Sequence, residues 1–244
     1  LCDDSWMGHC AKYQLQSGGK KFRALLALIT ADMFKLDFES SLDIAVCCEF
    51  IHNASLIHDD LQDRDLLRRG LPTIWNRFGD HTAINLGDYF IAGSFEALSK
   101  IKGNPENKCK AIEHLSYTIQ QTLKGQSLEI LERSNLNLRM EEYESTAKAK
   151  TGGLICWPIK LIMILNGEKN IDEFDFNPLY EAGLAYQIQD DLSDFLGIKD
   201  RGLPGRDLKE GKMNVLIMHF LETATSGERF LLKEFFTKKS ESIS

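Results

Sequence analysis

The sequence predicts an all-α fold, and three observations predict it. Only five prolines occur in 244 residues, so long stretches lack the residue that most strongly interrupts a helix. Apolar residues recur three and four apart over most of the chain, the spacing that lines one face of a helix. Alternating apolar and polar runs bounded by Asn-Gly or Asp-Gly, the mark of a hairpin, are absent.

Taken in order, helices are expected at roughly 21–36, 40–64, 80–101, 108–132, 140–150, 153–166, 178–197, 212–224 and 228–238. The first carries the largely apolar run Ala24 to Phe34, and the second holds Cys47 and Cys48 among apolar neighbours and ends on acidic residues. The most apolar stretch, Leu154 to Leu165, is broken by Lys160, and the helix after it carries the apolar run Ala182 to Ile188 before a second acidic end. The breaks fall where turn chemistry gathers, at Arg69-Gly70-Leu71-Pro72, Lys102-Gly103-Asn104-Pro105, Asn166-Gly167 and Gly202-Leu203-Pro204-Gly205. No low-complexity linker interrupts the pattern, so one domain over 1–244 is expected, with truncation at one or both ends left open. The chain starts at Leu1 rather than Met, which leaves a preceding targeting segment open.

A net charge of −7 and a pI near 5.4 argue against a general nucleic-acid binder, whose usual footprint is a basic surface. They do not exclude a phosphate-bearing small molecule, because local Lys and Arg decide that. Six cysteines show no C-x-x-C pair, so zinc is not expected and a reducing, cytoplasmic setting is the simplest reading, with an organelle left open. No apolar run approaches the roughly 18 residues of a membrane span.

Two acidic clusters carry most of the information. Asp59, Asp60 and Asp63 lie in HDDLQDRDLLRRG, and Asp190, Asp191 and Asp194 in QIQDDLSDFLG. Each has the spacing D-D-x-x-D at the end of a helix. Residues four apart share a helix face, about 6 Å apart along the axis. Like charges so placed repel unless a cation relieves them. Two such ladders point to a site for several hard divalent cations and a polyphosphate. One cluster alone is more often a solvated helix end; the second changes that balance.

Arg68-Arg69-Gly70 follows the first cluster, and guanidinium forks match phosphate oxygens. Gly18-Gly19-Lys20-Lys21-Phe22-Arg23 precedes an apolar helix and offers backbone donors and cations to an anion, although such a segment alone is more often a solvated loop. Lys150-Thr151-Gly152-Gly153 and Gly211-Lys212 are equally weak one at a time. His52 lies two helical turns before Asp59; a lone helical histidine is more often a core residue.

The ordered blocks GGKKFR, HNASLIHDDLQD with RRGLPT, NLGDY, GQSLEI, KAKTGGL, AYQIQDDLSDFLG and GRDLKEGK together resemble the trans-isoprenyl diphosphate synthase, or polyprenyl synthetase, family. The resemblance runs from residue 18 to about 215. It implies the isoprenoid synthase fold, a helical bundle around a deep central cavity, with the two aspartate motifs facing each other across its mouth and holding three Mg²⁺ ions. It implies a homodimer that couples isopentenyl diphosphate to an allylic diphosphate.

By position, the resemblance makes Asp59, Asp60, Asp63, Asp190, Asp191 and Asp194 metal ligands. Arg68, Lys150 and Lys212 would contact the allylic diphosphate. Lys20, Arg23, His52 and Arg69 would hold isopentenyl diphosphate. Thr151 and Gln187 would line the reaction centre, and Gln126 and Glu129 match a block facing the cavity, with Glu where Asp is common. The chemistry suits these residue types. Cations stabilise the departing diphosphate as the allylic C–O bond ionises. The double bond of isopentenyl diphosphate then attacks the allylic cation, and a proton is lost to the released diphosphate. An apolar cavity keeps water from quenching the cation. No side-chain nucleophile is required.

The sequence departs from the family pattern in four places. Ala24 replaces a proline, Leu203 stands where a lysine is common, with Lys199 or Arg206 as substitutes, Asn214 replaces a frequent threonine, and the C-terminal end is shorter. The intact basic set favours chain elongation over a terpene cyclase, and the complete aspartates disfavour a weakly active partner subunit. Product length is expected to depend on Ala54 and Ser55, five and four residues before Asp59, and on Ile51, with Cys48 and Cys47 deeper and Phe90 or Phe95 as a floor. Small residues there imply a C20 product, geranylgeranyl diphosphate, with longer products next. The alternative is that Ala54 and Ser55 pack against a neighbouring helix.

Overall fold

The computed structural model describes residues 3–198 and 204–240. The fold is all-α, as the sequence predicts, apart from one minimal hairpin. The chain divides into two compact units, residues 1–120 with 154–176, and residues 121–153 with 177–244.

The first unit starts with α1 (Trp6–Gln16), capped by Ser5, whose side chain accepts from the Gly8 N–H. The sequence reading misses α1 because its buried face is small and partly polar: Gly8, Cys10, Ala11 and Gln14. Gln14 Nε2 donates to Asn53 Oδ1 at 3.1 Å, which ties α1 to the helix carrying Asn53 through a buried polar pair. Next come α2 (Phe22–Met33) and α3 (Phe38–Gln62). Asp37 caps α3 by accepting from the Ser40 N–H at 3.0 Å. Beyond a hairpin of β1 (Leu67–Arg68) and β2 (Leu71–Pro72), the short α4 (Ile74–Phe78) leads into α5 (Asp80–Lys100). The unit is completed by the first part of α6 (Pro105–Leu131) and by α8 (Gly153–Asn166) from Leu154 onward.

The core of the first unit lies where α3 meets α5, α6 and α8. One cluster joins Cys47, Cys48 and Ile51 to Leu98, Leu115, Trp157 and Leu161. A second joins Ala54 and Ile57 to Leu86 and Phe90. Burial of a side chain such as Phe90 stabilises by about 1.5–3 kcal/mol relative to exposure. Cys47 and Cys48 are core thiols, as the sequence suggests, and burial pushes both thiols up.

The second unit holds the rest of α6, then α7 (Met140–Ala147), a π-helical turn at Lys148–Gly152, α9 (Asn177–Phe195), α10 (Arg206–Lys209), α11 (Val215–Thr223) and α12 (Ser226–Ser240). Asn214 caps α11, its Oδ1 accepting from the Ile217 N–H at 3.0 Å. That gives the residue found in place of threonine a clear local use. Tyr143, Ala147, Leu184 and Met218 form the core joining α7, α9 and α11. No helix among the described residues is long and apolar enough to cross a membrane.

Candidate functional site

In the first unit the acidic motif ends α3, where Asp63 is the C-cap residue. Asp60 is buried, with 2% exposure. Arg68 Nε donates to both its oxygens, at 2.6 and 2.8 Å. Asp65 adds a second carboxylate 3.8 Å from Arg68 Nη2. Burial opposes the Arg68 charge, but the hydrogen bond and charge of Asp60 outweigh it and hold the guanidinium protonated. Asp59 and Asp63 are half-buried at the end of α3.

The hairpin explains why two consecutive arginines serve differently. Leu67 pairs with Pro72 and Arg68 with Leu71. Arg69 and Gly70 both have positive φ, 54° and 75°, the conformation of a two-residue hairpin turn that matches strand twist. Arg68 points inward to Asp60, and Arg69 is exposed, donating from Nη1 to the Gly18 carbonyl. Gly19 has φ 122°, a conformation that strains any side chain, and it lies under the Arg69 guanidinium.

The basic segment lies against the same part of α3. Lys21, the N-cap of α2, is left-handed at φ 46° and makes no side-chain cap. Arg23 Nη1 lies 3.5 Å from His52 Nε2. Burial, and then Arg23, Arg69 and Arg68, drive the His52 pKa down to about 2, so the ring is neutral. Nε2 then accepts from Arg23, which leaves the proton on Nδ1. Nδ1 is buried and has no hydrogen-bond partner. Glu49, which the sequence reading missed, shares this surrounding: burial raises its pKa, while Lys21, Arg23 and Arg69 oppose that. Arg23, His52 and Arg69 thus come together; Lys21 acts on the Glu49 charge, and Lys20 is exposed.

The chain-length positions differ from one another. Ala54 and Ile51 are buried in two different core clusters, Ala54 with Phe90 and Ile51 with Phe95 packed alongside. Ser55 is half-buried, its hydroxyl donating to the His52 carbonyl at 2.8 Å.

In the second unit the other motif sits near the end of α9. Asp191 is 3% exposed. Its Oδ2 accepts from the Tyr143 phenol at 2.7 Å and the Val215 N–H at 2.9 Å, and its Oδ1 from Gln187 Nε2 at 2.9 Å. Burial raises the Asp191 pKa, and the three donors pull against that rise. Burial and the Asp191 charge also push the Tyr143 phenol far up, so it stays a donor. Asp194 is buried and accepts from the Asp207 N–H at 3.0 Å, which anchors α10. Asp190 is half-buried.

The π-helical turn sets Lys150 and Thr151 on different neighbours. Lys150 Nζ donates to Gln126 and, at 2.7 Å, to Glu129 Oε2. Thr151 Oγ1 donates to Gln187 Oε1 at 3.2 Å. A close glycine crossing permits this: a Cβ on Gly183 would lie 2.4 Å from the Gly152 Cα. Lys212 lies 3.5 Å from Glu210 and 3.7 Å from Asp207, and Arg206 pairs with Glu210. Lys199 and Leu203 lie outside the described residues. The sequence reading missed Tyr143, Glu49 and Asp65. Tyr143 stands seven residues before Lys150, but nothing in the spacing says that a phenol there meets Asp191.

This chain matches the polyprenyl synthetase family over residues 4–244. A short chain isoprenyl diphosphate synthase of Methanocaldococcus jannaschii is 34% identical over 241 residues, 97% of this chain and 73% of the relative. Heptaprenyl diphosphate synthase component 2 of Bacillus subtilis is 34% identical over 211 residues, 85% of this chain and 59% of the relative. Among solved structures, the geranylgeranyl pyrophosphate synthetase of the archaeon Geoglobus acetivorans superposes with a TM-score of 0.81 at 26% identity, covering 98% of this chain and 81% of the other. A family match over nearly the whole chain shows that the protein belongs to the polyprenyl synthetase family. It is therefore an enzyme of the class that transfers prenyl groups.

Proposed function

We propose that the protein condenses isopentenyl diphosphate with an allylic diphosphate, in a Mg²⁺-dependent reaction, to give a longer all-trans prenyl diphosphate. The observation that carries this is the cationic cluster of the first unit. Arg23 and Arg69 surround a neutral His52 whose Nδ1–H is a buried donor with no protein acceptor. A diphosphate oxygen would satisfy it. A cyclase acting on one diphosphate has no use for this second anion site.

The donor set fits a magnesium cofactor. Asp59, Asp63 and Asp190 are half-buried carboxylates at motif ends, and among the described residues no three acidic, His or Cys side chains would cage an ion alone. Mg²⁺ is commonly held by one or two carboxylates together with phosphate oxygens and water. Asp59, Asp60 and Asp63 of the first motif, and Asp190, Asp191 and Asp194 of the second, are the carboxylates that would hold such ions. When bound, the ions would neutralise the charge developing on the departing diphosphate.

Within this reading Lys20, Arg23, His52 and Arg69 bind isopentenyl diphosphate. Lys150 and Lys212 lie along the allylic diphosphate, exchanging their Glu129, Glu210 and Asp207 partners for phosphate oxygens. Thr151 and Gln187 border the reacting carbons. Ser55 bounds the tail, with a C20 product expected and longer ones next. The working form is a homodimer. A second reading, one component of a heteromeric synthase, is favoured by the name of the Bacillus subtilis relative.

The test incubates purified protein with Mg²⁺, isopentenyl diphosphate and each of the C5, C10 and C15 allylic diphosphates, and weighs the products. Coupling by the protein alone, lost on chelation, is the expected result. Coupling only after a second subunit is added would favour the heteromeric reading. A cyclic hydrocarbon formed without isopentenyl diphosphate would overturn both.

A further inference from the structure

Asp191 anchors a directional chain of hydrogen bonds. A carboxylate only accepts, so Tyr143, Val215 N–H and Gln187 Nε2 must all donate to it. With its NH₂ committed to Asp191, the Gln187 amide turns its oxygen to Thr151, whose hydroxyl donates there. Thr151 then faces its surroundings with lone pairs only. The direction of the whole chain is set at Asp191.

Tyr143 matters in that arrangement for two reasons. It is the side-chain donor that comes from outside α9 and the π-helical turn, and it reaches Asp191 from α7. It also shares Oδ2 with the Val215 N–H, leaving Oδ1 to Gln187. Without the phenol the carboxylate can rotate about its own axis, and the Gln187 amide loses its fixed acceptor. The same turn of α9 carries Asp190, the neighbour of Asp191.

We propose that Tyr143 is a positioning residue of the prenyl-transfer site: acting through Asp191, it orients Gln187 and Thr151 and holds the turn that presents Asp190 to a cation. This rests on the reading above that Asp190, Thr151 and Gln187 border the reaction. A residue that served the fold alone would change melting temperature and leave the kinetics of each folded molecule intact.

The test compares wild type with Tyr143→Phe and with Val215→Pro. The second variant deletes the backbone donor at the first position of α11, where proline is tolerated; Asn214 before it is already extended, at φ −99° and ψ 171°, as a residue preceding proline requires. Two quantities are read on protein shown to be folded by near-UV circular dichroism: steady-state kcat and KM, and calorimetric binding of inorganic diphosphate with Mg²⁺. For Tyr143→Phe, kcat should fall about 10- to 100-fold, the scale of small misplacements at a reacting centre, with KM for isopentenyl diphosphate within about twofold. Binding of Mg²⁺-diphosphate should weaken about tenfold, the loss of roughly one hydrogen bond to a charged group. Val215→Pro should move both in the same direction and decides the matter if Tyr143→Phe does not fold. In an Asp191→Ala background, which leaves the phenol no side-chain acceptor at that position, the effect of Tyr143→Phe should vanish. Folded Tyr143→Phe with wild-type kcat and binding overturns the proposal alone, as does an effect that persists in the Asp191→Ala background. Failure of both variants to fold overturns it too, by assigning the donors to the fold. Wild type inert in both assays overturns the functional reading and this proposal with it.

Discussion

Asp60 and Asp191 occupy the same place in two D-D-x-x-D motifs, yet one is held by a guanidinium and the other by a phenol, an amide and a backbone N–H. Both are buried, so the cost of removing a charge from water is similar in kind. In the first unit an opposite charge offsets it; in the second only neutral dipoles do. The comparison teaches that a shared spacing specifies a helix-end ladder and leaves the electrostatics of each rung to its neighbours. It also separates the buried middle aspartates from the half-buried Asp59, Asp63 and Asp190.

The sharpest break in that comparison is Arg68→Met. It strands the Asp60 charge, and a buried pair broken on one side costs about 3–5 kcal/mol. Removing one neutral donor from Asp191, as in Tyr143→Phe, should cost only about 1–3 kcal/mol. Urea unfolding of the two variants measures this, and equal losses would dissolve the distinction. Next in size, Asp59→Asn and Asp190→Asn should each lower kcat by about 10²–10³, equivalent to about 2.7–4 kcal/mol, with little change in melting temperature. A Mg²⁺ titration of the initial rate would show the midpoint moved upward.

Smaller effects sharpen the picture of the first unit. Ala54→Phe would overpack the cluster around Phe90 at about 1–3 kcal/mol, whereas Ser55→Phe, from a half-buried position, should fold normally and shorten the product. Product masses beside melting curves distinguish the two, and a shortened product from a stable Ala54→Phe would show that Ala54 borders the tail.

The smallest expected effect is on pH. His52 and His114, both in the first unit, have pKa values lowered from 6.5 to about 2 and about 4. Between those values and 6.5 the unfolded chain binds more protons than the folded one. Their contribution is therefore complete above pH 6.5 and is lost as pH falls below it, by at most about 1.4 kcal/mol per pH unit for each histidine. Asp191 in the second unit runs the other way. Its raised pKa makes the folded state bind more protons than the unfolded, so acid relieves its burial and rising pH takes that relief away. Hydrogen exchange at pH 7.5 and 5.5 should show protection falling in α3 and the first part of α6 before α9. His114→Leu should remove part of the slope.

Much of the candidate site was legible because it rests on short-range order. The two ladders, Arg68-Arg69 after the first and Lys150-Thr151 before a glycine pair are periodicities and neighbours along the chain, and helix geometry converts them into faces. Tyr143 and Glu49 were not legible, because their partners stand 48 residues away or on another helix. Helices α1 and α4 were missed because small or few apolar residues give a weak period.

The helical class, the acidic ladders and the basic blocks follow from propensity, period and spacing, which act within a few residues. Which aspartates are buried, that Arg68 turns inward while Arg69 turns out, and that Tyr143 meets Asp191 follow from long-range packing. Burial and hydrogen-bond direction depend on segments distant in the chain, and no local pattern encodes them.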